Sequence, residues 1–145
     1  MKYFYLFLFT LLYSSSYAQI IKVYVMADGS FSNNPENSVC HLEILKSNDS
    51  VYLVDQYDLG DNLIIQGTYK DQGLSIKNGK FHYYNYSSKS ETIGYFLNGQ
   101  RTGVWYAYDP DGKIADWTYK NGILDGHSKT TTTHFYFHIG KRVML

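Results

Sequence analysis

The sequence is poor in residues that cross-link or interrupt a chain. Its 145 residues include one cysteine, Cys40, and two prolines. A single thiol excludes an intrachain disulfide, so packing and sheet hydrogen bonds must hold the fold. Cys40 falls on the apolar side of an alternating segment, which predicts a buried, unreactive thiol. A mixed disulfide with a partner is the alternative.

An excess of charge of one sign is also absent. Thirteen basic and thirteen acidic residues give a formal net charge of +0. Nucleic-acid binding normally needs a basic stripe that neutralises phosphates, and the sequence has none. It also has no basic amphipathic helix that would suit a membrane surface. Nucleic acid is therefore not a predicted partner.

Convergent reactive groups are the third absence. The sequence has no Gly-x-Ser-x-Gly elbow and no glycine-rich phosphate loop before a helix. The candidate cluster is His127, His134 and His138, but the last two lie on a predicted strand, where positions i and i+4 are about 13 Å apart. That separation is too long for two ligands of one metal ion. We therefore predict no enzyme activity, no catalytic residue, no cofactor and no metal site.

The first 18 residues have the pattern of a secretory signal peptide. Lys2 precedes an apolar and aromatic run, and Ser16 and Ala18 place small residues at positions −3 and −1 of a cleavage site. The apolar core is too short to cross a membrane; an uncleaved anchor is the alternative. We predict cleavage after Ala18 and an exported protein, periplasmic, cell-surface or secreted, without an integral membrane span after cleavage.

Tyrosine and glycine-containing turn pairs are abundant. The 16 tyrosines favour strands, and short strand-like runs, such as residues 20–26, are separated by turn residues without a helical period. Asn-Gly and Asp-Gly pairs suit hairpin turns because both central residues tolerate positive φ. They occur at 78–79, 98–99, 111–112, 121–122 and 125–126. The sequence predicts an all-β fold in which antiparallel β-hairpin repeats form an elongated, twisted meander sheet.

A fragment recurs near the centre of the chain. Asn98-Gly99 returns 23 positions later as Asn121-Gly122, and Gly103 returns as Gly126. Self-similarity at a fixed short period indicates a repeat architecture. We expect a β lead-in over residues 19–61 and hairpin repeats over residues 62–145. The predicted structural turn residues are Asn98, Gly99, Gly103, Gly112, Asn121, Gly122 and Gly126.

The repeated unit resembles that of the MORN-repeat variant family, named for the membrane occupation and recognition nexus. The match covers about residues 63–126, and Phe96 replaces the usual tyrosine. Related variant repeats occur in YwqK-like antitoxins and in exported bacterial proteins. The resemblance implies β-hairpin repeats that contact proteins or lipids, and it supplies no catalytic residue. The matching residues are Gly94, Phe96, Asn98, Gly99, Gly103, Trp105, Tyr108, Gly112 and Lys113.

Aromatic residues of the repeats are the candidate binding surface. Strand alternation places Trp105 and Ala107 on one face and Tyr106 and Tyr108 on the other. Ser128 stands where the repeat predicts an aromatic equivalent to Trp105. Packing across strands is the alternative role for these rings. The candidate binding residues are Trp105, Tyr106, Tyr108, Trp117 and Tyr119.

These observations favour an exported, non-enzymatic protein-interaction or scaffold module with an unidentified protein partner. A repeat sheet without convergent reactive groups presents surfaces to other molecules. The first alternative is an antitoxin or immunity protein that binds a toxin. The second is a module that binds cell wall or glycan through the aromatic residues.

Overall fold

The regular secondary structure in the described part of the chain consists of β-strands joined by turns and loops. The computed structural model describes residues 19–47, 51–131 and 134–143, so the predicted signal peptide lies outside the described residues. Twelve strands form a single sheet within these ranges. They are β1 (Ile20–Met26), β2 (Phe31–Ser32), β3 (Ser38–Lys46), β4 (Tyr52–Tyr57), β5 (Leu63–Tyr69), β6 (Lys77–Asn85), β7 (Ser90–Leu97), β8 (Gln100–Asp109), β9 (Gly112–Lys120), β10 (Ile123–Thr130), β11 (His134–His138) and β12 (Lys141–Val143).

The sheet is an antiparallel meander. From β3 to β12 the strand order follows the chain, while β1 lies between β3 and the short β2. This confirms the prediction of an all-β, hairpin-connected antiparallel sheet. Gln56 on β4 pairs with Ile65 on β5, so the sheet continues from the predicted lead-in into the predicted repeats. Across the described ranges, no helix has the length and apolar character needed to span a membrane.

Two hairpin turns follow the prediction in detail. Asn98 and Gly99 have φ angles of 51° and 82°, and Asn121 and Gly122 have φ angles of 52° and 81°. Two successive positive φ values define the type I′ turn, whose twist matches the flanking strands. Gly112 also belongs to a hairpin connection, since it pairs with the last residue of β8 and has a φ of 127°.

The prediction that Gly103 and Gly126 mark turns is wrong. Both lie inside strands, β8 and β10, with φ angles of 66° and 110°. The pairing between β7 and β8 shifts by two residues, so that Gly94 alone faces residues 103–105. Such extra residues form a β-bulge, in which glycine supplies the positive φ. The turn pattern correctly predicted positive φ at these two glycines, but the residues form β-bulges within strands and not hairpin turns.

The same bulge occurs in three hairpins. Thr68 on β5 faces residues 78–80 of β6, and Thr118 on β9 faces residues 125–127 of β10. Gly79 lies within β6 with a φ of 97°, so the Asn-Gly pair at 78–79 is also a bulge and not a turn. Bulges bend the strand and increase its twist. The structural repeat is therefore a hairpin whose second strand carries a glycine bulge.

The core lies in a row of residues that crosses the strands. Phe81 and Trp105 have exposed fractions of 0% and 2%. An ideal Cβ on Gly67 would lie 2.3 Å from the Phe81 ring, and one on Gly94 would lie 2.0 Å from the Trp105 ring. Each ring therefore occupies the space above a glycine of the preceding strand. In strand order the row contains Val54, Gly67, Phe81, Gly94, Trp105, Trp117 and Ser128.

The third hairpin reverses the positions of the large and the small residue. Trp117 on the first strand pairs with Ser128 on the second, whereas Gly94 on the first strand lies beneath Trp105 on the second. Ser128 is buried, with an exposed fraction of 3%. The aromatic ring that the repeat lacks at position 128 is thus supplied from the neighbouring strand, and the row keeps one large ring for each hairpin.

Candidate functional site

The candidate binding residues are divided between the two faces of the sheet. Register places Trp105, Trp117 and Tyr119 on one side, which we call the tryptophan face. Tyr106 and Tyr108 lie on the other side, which we call the tyrosine face. This confirms the predicted alternation along β8. The five rings therefore do not form one continuous surface.

Trp105 is part of the core and offers almost no surface to a ligand. Its indole Nε1 donates a hydrogen bond to the Tyr95 carbonyl oxygen at 3.2 Å. Its ring centroid lies 5.1 Å from that of Phe96 and 6.0 Å from that of Tyr119, both in edge-to-face geometry. Such pairs add to the stability gained by burial. Packing, the alternative role, therefore describes Trp105, whereas Trp117 and Tyr119 are only partly buried.

Lys77 lies on the tryptophan face among aromatic rings. Its Nζ is 5.2 Å from the ring centroids of both Phe81 and Phe96, and it donates a hydrogen bond to the Tyr83 hydroxyl at 3.2 Å. Ring faces attract cations. Burial and then the charge of Arg101 lower the pKa of Lys77, so this ammonium is partly removed from water.

Arg101 is the second cation on this face. Its guanidinium carbon lies 4.6 Å from the Trp105 ring centroid and 5.3 Å from that of Tyr119. Nη1 also donates a hydrogen bond to the Tyr119 hydroxyl at 3.1 Å. No carboxylate in the described ranges forms an ion pair with Arg101 or with Lys77. Sequence analysis missed both cations, although alternation along each strand could have placed them beside the aromatic residues.

A groove of about 360 Å³ opens mainly on the tyrosine face, over β1 and β3 to β6. One wall is a cross-strand row of Ile20, Leu45 and Leu53, in which Ile20 and Leu53 have exposed fractions of 60% and 43%. The adjacent row is polar, and there Glu43 pairs directly with Asp55. Like charges in opposite positions of a strand pair destabilise a sheet. On its other side Glu43 pairs with Lys22 of β1, and Lys80 also lines the groove. The groove therefore combines exposed apolar surface with a polar rim of mixed charge.

His82 connects two other polar groups on the tyrosine face. Its Nε2 lies 2.6 Å from Oε2 of Glu91, and its Nδ1 lies 2.8 Å from the Tyr84 hydroxyl. A hydroxyl, a base and a carboxylate in series are the parts of an activated nucleophile. However, burial and the charge of Glu91 raise the pKa of Tyr84, so the phenol keeps its proton. The two contacts orient the His82 ring between Glu91 and Tyr84. Sequence analysis missed this arrangement, although the spacing of His82 and Tyr84 on one strand was a signal.

The histidines near the end of the chain contact separate carboxylates. Nδ1 of His127 lies 3.5 Å from Asp116, and Nδ1 of His138 lies 3.2 Å from Asp125. His134 and His138 are the two ends of β11, in agreement with the predicted strand. In the ranges that the structure describes, no three metal-ligating side chains converge.

Cys40 has the environment that the sequence predicts. The thiol is free and buried, and it accepts a hydrogen bond from Gln56 Nε2 at 3.2 Å. Burial raises the pKa of the thiol, and this hydrogen bond only partly opposes it. The predicted burial of the thiol is confirmed. Since the thiolate is the reactive form, the raised pKa is consistent with the predicted low reactivity, which stays a prediction.

Comparison with protein-family models, with curated proteins and with solved structures gave no match for the chain. The resemblance to the MORN-repeat variant family therefore stays a prediction, as does the exported location.

Proposed function

We propose that the chain is a non-enzymatic protein-interaction module. The groove on the tyrosine face carries this proposal. Its apolar row of Ile20, Leu45 and Leu53 is partly open to solvent, and every described strand belongs to the one sheet. The described residues therefore provide no second layer that covers the row.

Burial of the apolar row by a partner would supply binding free energy. Apolar surface contributes about 25 cal/mol for each Å² removed from water. Contiguous exposed apolar residues with a polar rim are characteristic of protein-binding surfaces. Glu43, Asp55 and Lys80 provide this rim, and charged groups of both signs on a partner would fix its position and orientation there. These features support a protein partner for the groove.

The test is a cross-linking pull-down in cells with matched variants. Leu53→Asp places a charge in the apolar row, and Leu97→Asp makes the same change at a residue with an exposed fraction of 56% outside the groove. We expect the same partner to be recovered by the natural chain and by Leu97→Asp, and to be lost with Leu53→Asp. Circular dichroism of both variants checks that each is folded. Equal recovery by all three proteins, or turnover of a substrate by the purified chain, would contradict the proposal.

The antitoxin alternative belongs to the same class of binding. It specifies a toxin as the partner and predicts a one-to-one complex. The glycan-binding alternative requires a continuous exposed aromatic platform. The burial of Trp105 and the placement of Tyr106 on the other face weigh against such a platform.

A further inference from the structure

Lys77 and Arg101 form a cationic pair that lacks a carboxylate among the described residues. Both lie on the tryptophan face, where Arg101 pairs in register with Phe96 and Lys77 contacts the ring of the same Phe96. Lys77 is partly buried, whereas Arg101 is exposed. A partly buried charge such as that of Lys77 is costly without a partner of opposite sign. Two like charges beside each other increase that cost.

Lys113 on the tyrosine face is a useful comparison. Its Nζ lies 5.5 Å from the centroid of the Tyr106 ring and also 3.0 Å from Oδ2 of Asp116. This lysine therefore has both an aromatic contact and a carboxylate. Lys77 has the aromatic contacts and the hydroxyl of Tyr83, but none of the described carboxylates forms an ion pair with it. The aromatic rings around position 77 explain why a cation is tolerated there. They do not compensate the positive charge of Lys77.

We propose that Lys77 and Arg101 together bind a carboxylate of an acidic peptide segment in a protein partner. The planar guanidinium of Arg101 uses Nη1 for Tyr119 and has further N–H groups that suit a carboxylate. The ammonium of Lys77 supplies additional donors. The aromatic rings beneath both groups fix their positions before the ligand arrives, which lowers the entropic cost of binding.

A peptide carboxylate fits these groups better than a phosphate polymer or a lipid surface. Nucleic acids and anionic membranes are bound by extended basic stripes or patches. The chain has a formal net charge of +0, and the site consists of two cations over aromatic rings. This inference shares with the proposed function only the assumption of a protein partner, because its residues lie on the face opposite the groove.

The test uses a blocked hexaglutamate peptide as the probe and hexaglutamine as its neutral counterpart. Intrinsic fluorescence reports binding, because the chain has two tryptophans and the Arg101 guanidinium lies 4.6 Å from the Trp105 ring. We expect hexaglutamate to bind with an affinity that falls with added salt, and hexaglutamine not to bind. Arg101→Gln should weaken the binding by about tenfold or more, since it removes a charge-assisted contact.

Two further variants separate binding from folding and from overall charge. Lys77→Met should weaken hexaglutamate binding about tenfold while leaving the melting temperature unchanged or raised, because it removes an uncompensated, partly buried charge. A purely structural role for Lys77 would instead lower the melting temperature. Lys141→Gln is the matched control, since Lys141 is exposed and lies on β12 at the edge of the sheet, away from both sites. It should change the affinity by less than about twofold.

Several outcomes would overturn this inference. One is equal binding of hexaglutamate and hexaglutamine, and another is that Lys141→Gln weakens binding as much as Arg101→Gln does. Tighter, Arg101-dependent binding to vesicles of phosphatidylglycerol than to hexaglutamate would assign the pair to a membrane surface. Loss of the pull-down partner with Leu53→Asp, together with no hexaglutamate binding, would leave the proposed function intact and refute this inference alone.

Discussion

Gly94→Ala should be among the most destabilising single-methyl additions in this sheet. The added Cβ would lie 2.0 Å from the Trp105 ring, whereas ordinary contacts begin at 3.4 Å. The indole would have to move by about 1.4 Å, the difference between these two distances. Phe96, Tyr83 and Tyr119 surround it. Overpacking of this kind costs about 1–3 kcal/mol, and about 3–5 kcal/mol if the ring is expelled from its site.

Urea unfolding monitored by fluorescence and circular dichroism measures this loss. A double-mutant cycle with Trp105→Leu tests its cause, because a smaller side chain leaves room for the new methyl group. We expect the cost of Gly94→Ala to fall by at least about 1 kcal/mol in the Trp105→Leu background. Gly99→Ala is the control: its Cβ meets nothing within 4 Å, but its φ of 82° imposes strain. That strain costs about 1–2 kcal/mol. The cost of Gly99→Ala should be the same in the natural chain and in the Trp105→Leu background. An equal cost of Gly94→Ala in both backgrounds would refute the reasoning.

Three other substitutions test the pKa shifts of Tyr69 and Asp116 and the pairing of the large Trp117 with the small Ser128. Burial raises the pKa of Tyr69 to about 12, above its unfolded value of about 10. The free energy of unfolding that comes from this shift is fully present below the pKa of Tyr69 in the unfolded chain, and it is lost as pH rises through the pKa in the folded chain. Tyr69→Phe removes this contribution, so the unfolding free energy measured in alkaline buffers should fall less steeply with pH. Burial opposes ionisation of Asp116, but Lys113 and a histidine hold its pKa below the usual value. The associated stability is present above the unfolded pKa and is lost as pH falls through the native one, so Lys113→Met should lower the unfolding free energy at neutral pH and flatten its fall on acidification, as urea unfolding at several pH values would reveal. Ser128→Phe should cost about 1–3 kcal/mol in urea unfolding, and Trp117→Gly in the same chain should recover part of that cost.

The fold class followed from local patterns that the structure confirms. Type I′ geometry at Asn98-Gly99 is a local property of two residues, so the sequence predicts it well. Gly126 follows an aspartate in the same way and also has positive φ, but it lies in a strand. The difference depends on the register with Thr118 across the hairpin. Pairing register is a non-local property, and a dipeptide does not encode it.

The candidate site was predictable only in part for the same reason. Alternation along β8 correctly separated Trp105 from Tyr106. The burial of Trp105 depends on Gly94 of the neighbouring strand, and the pairing of the two cations depends on two different hairpins. The burial and the charge environment of a residue in a sheet depend on which residues lie beside it on neighbouring strands. The sequence shows only which residues follow one another along a strand. The groove was missed for this reason as well.

The strand order has a mechanical consequence. From β4 to β12 each strand is hydrogen-bonded only to strands adjacent in sequence, so tension applied at the C-terminal edge would detach one strand at a time. Sequential peeling breaks a few hydrogen bonds at each step, whereas shearing must break a whole ladder together. The sheet should therefore extend under low force in steps of one or two hairpin strands. A strand has about 3.3 Å of contour for each residue, so the step lengths would report the spacing of the bulged hairpins directly.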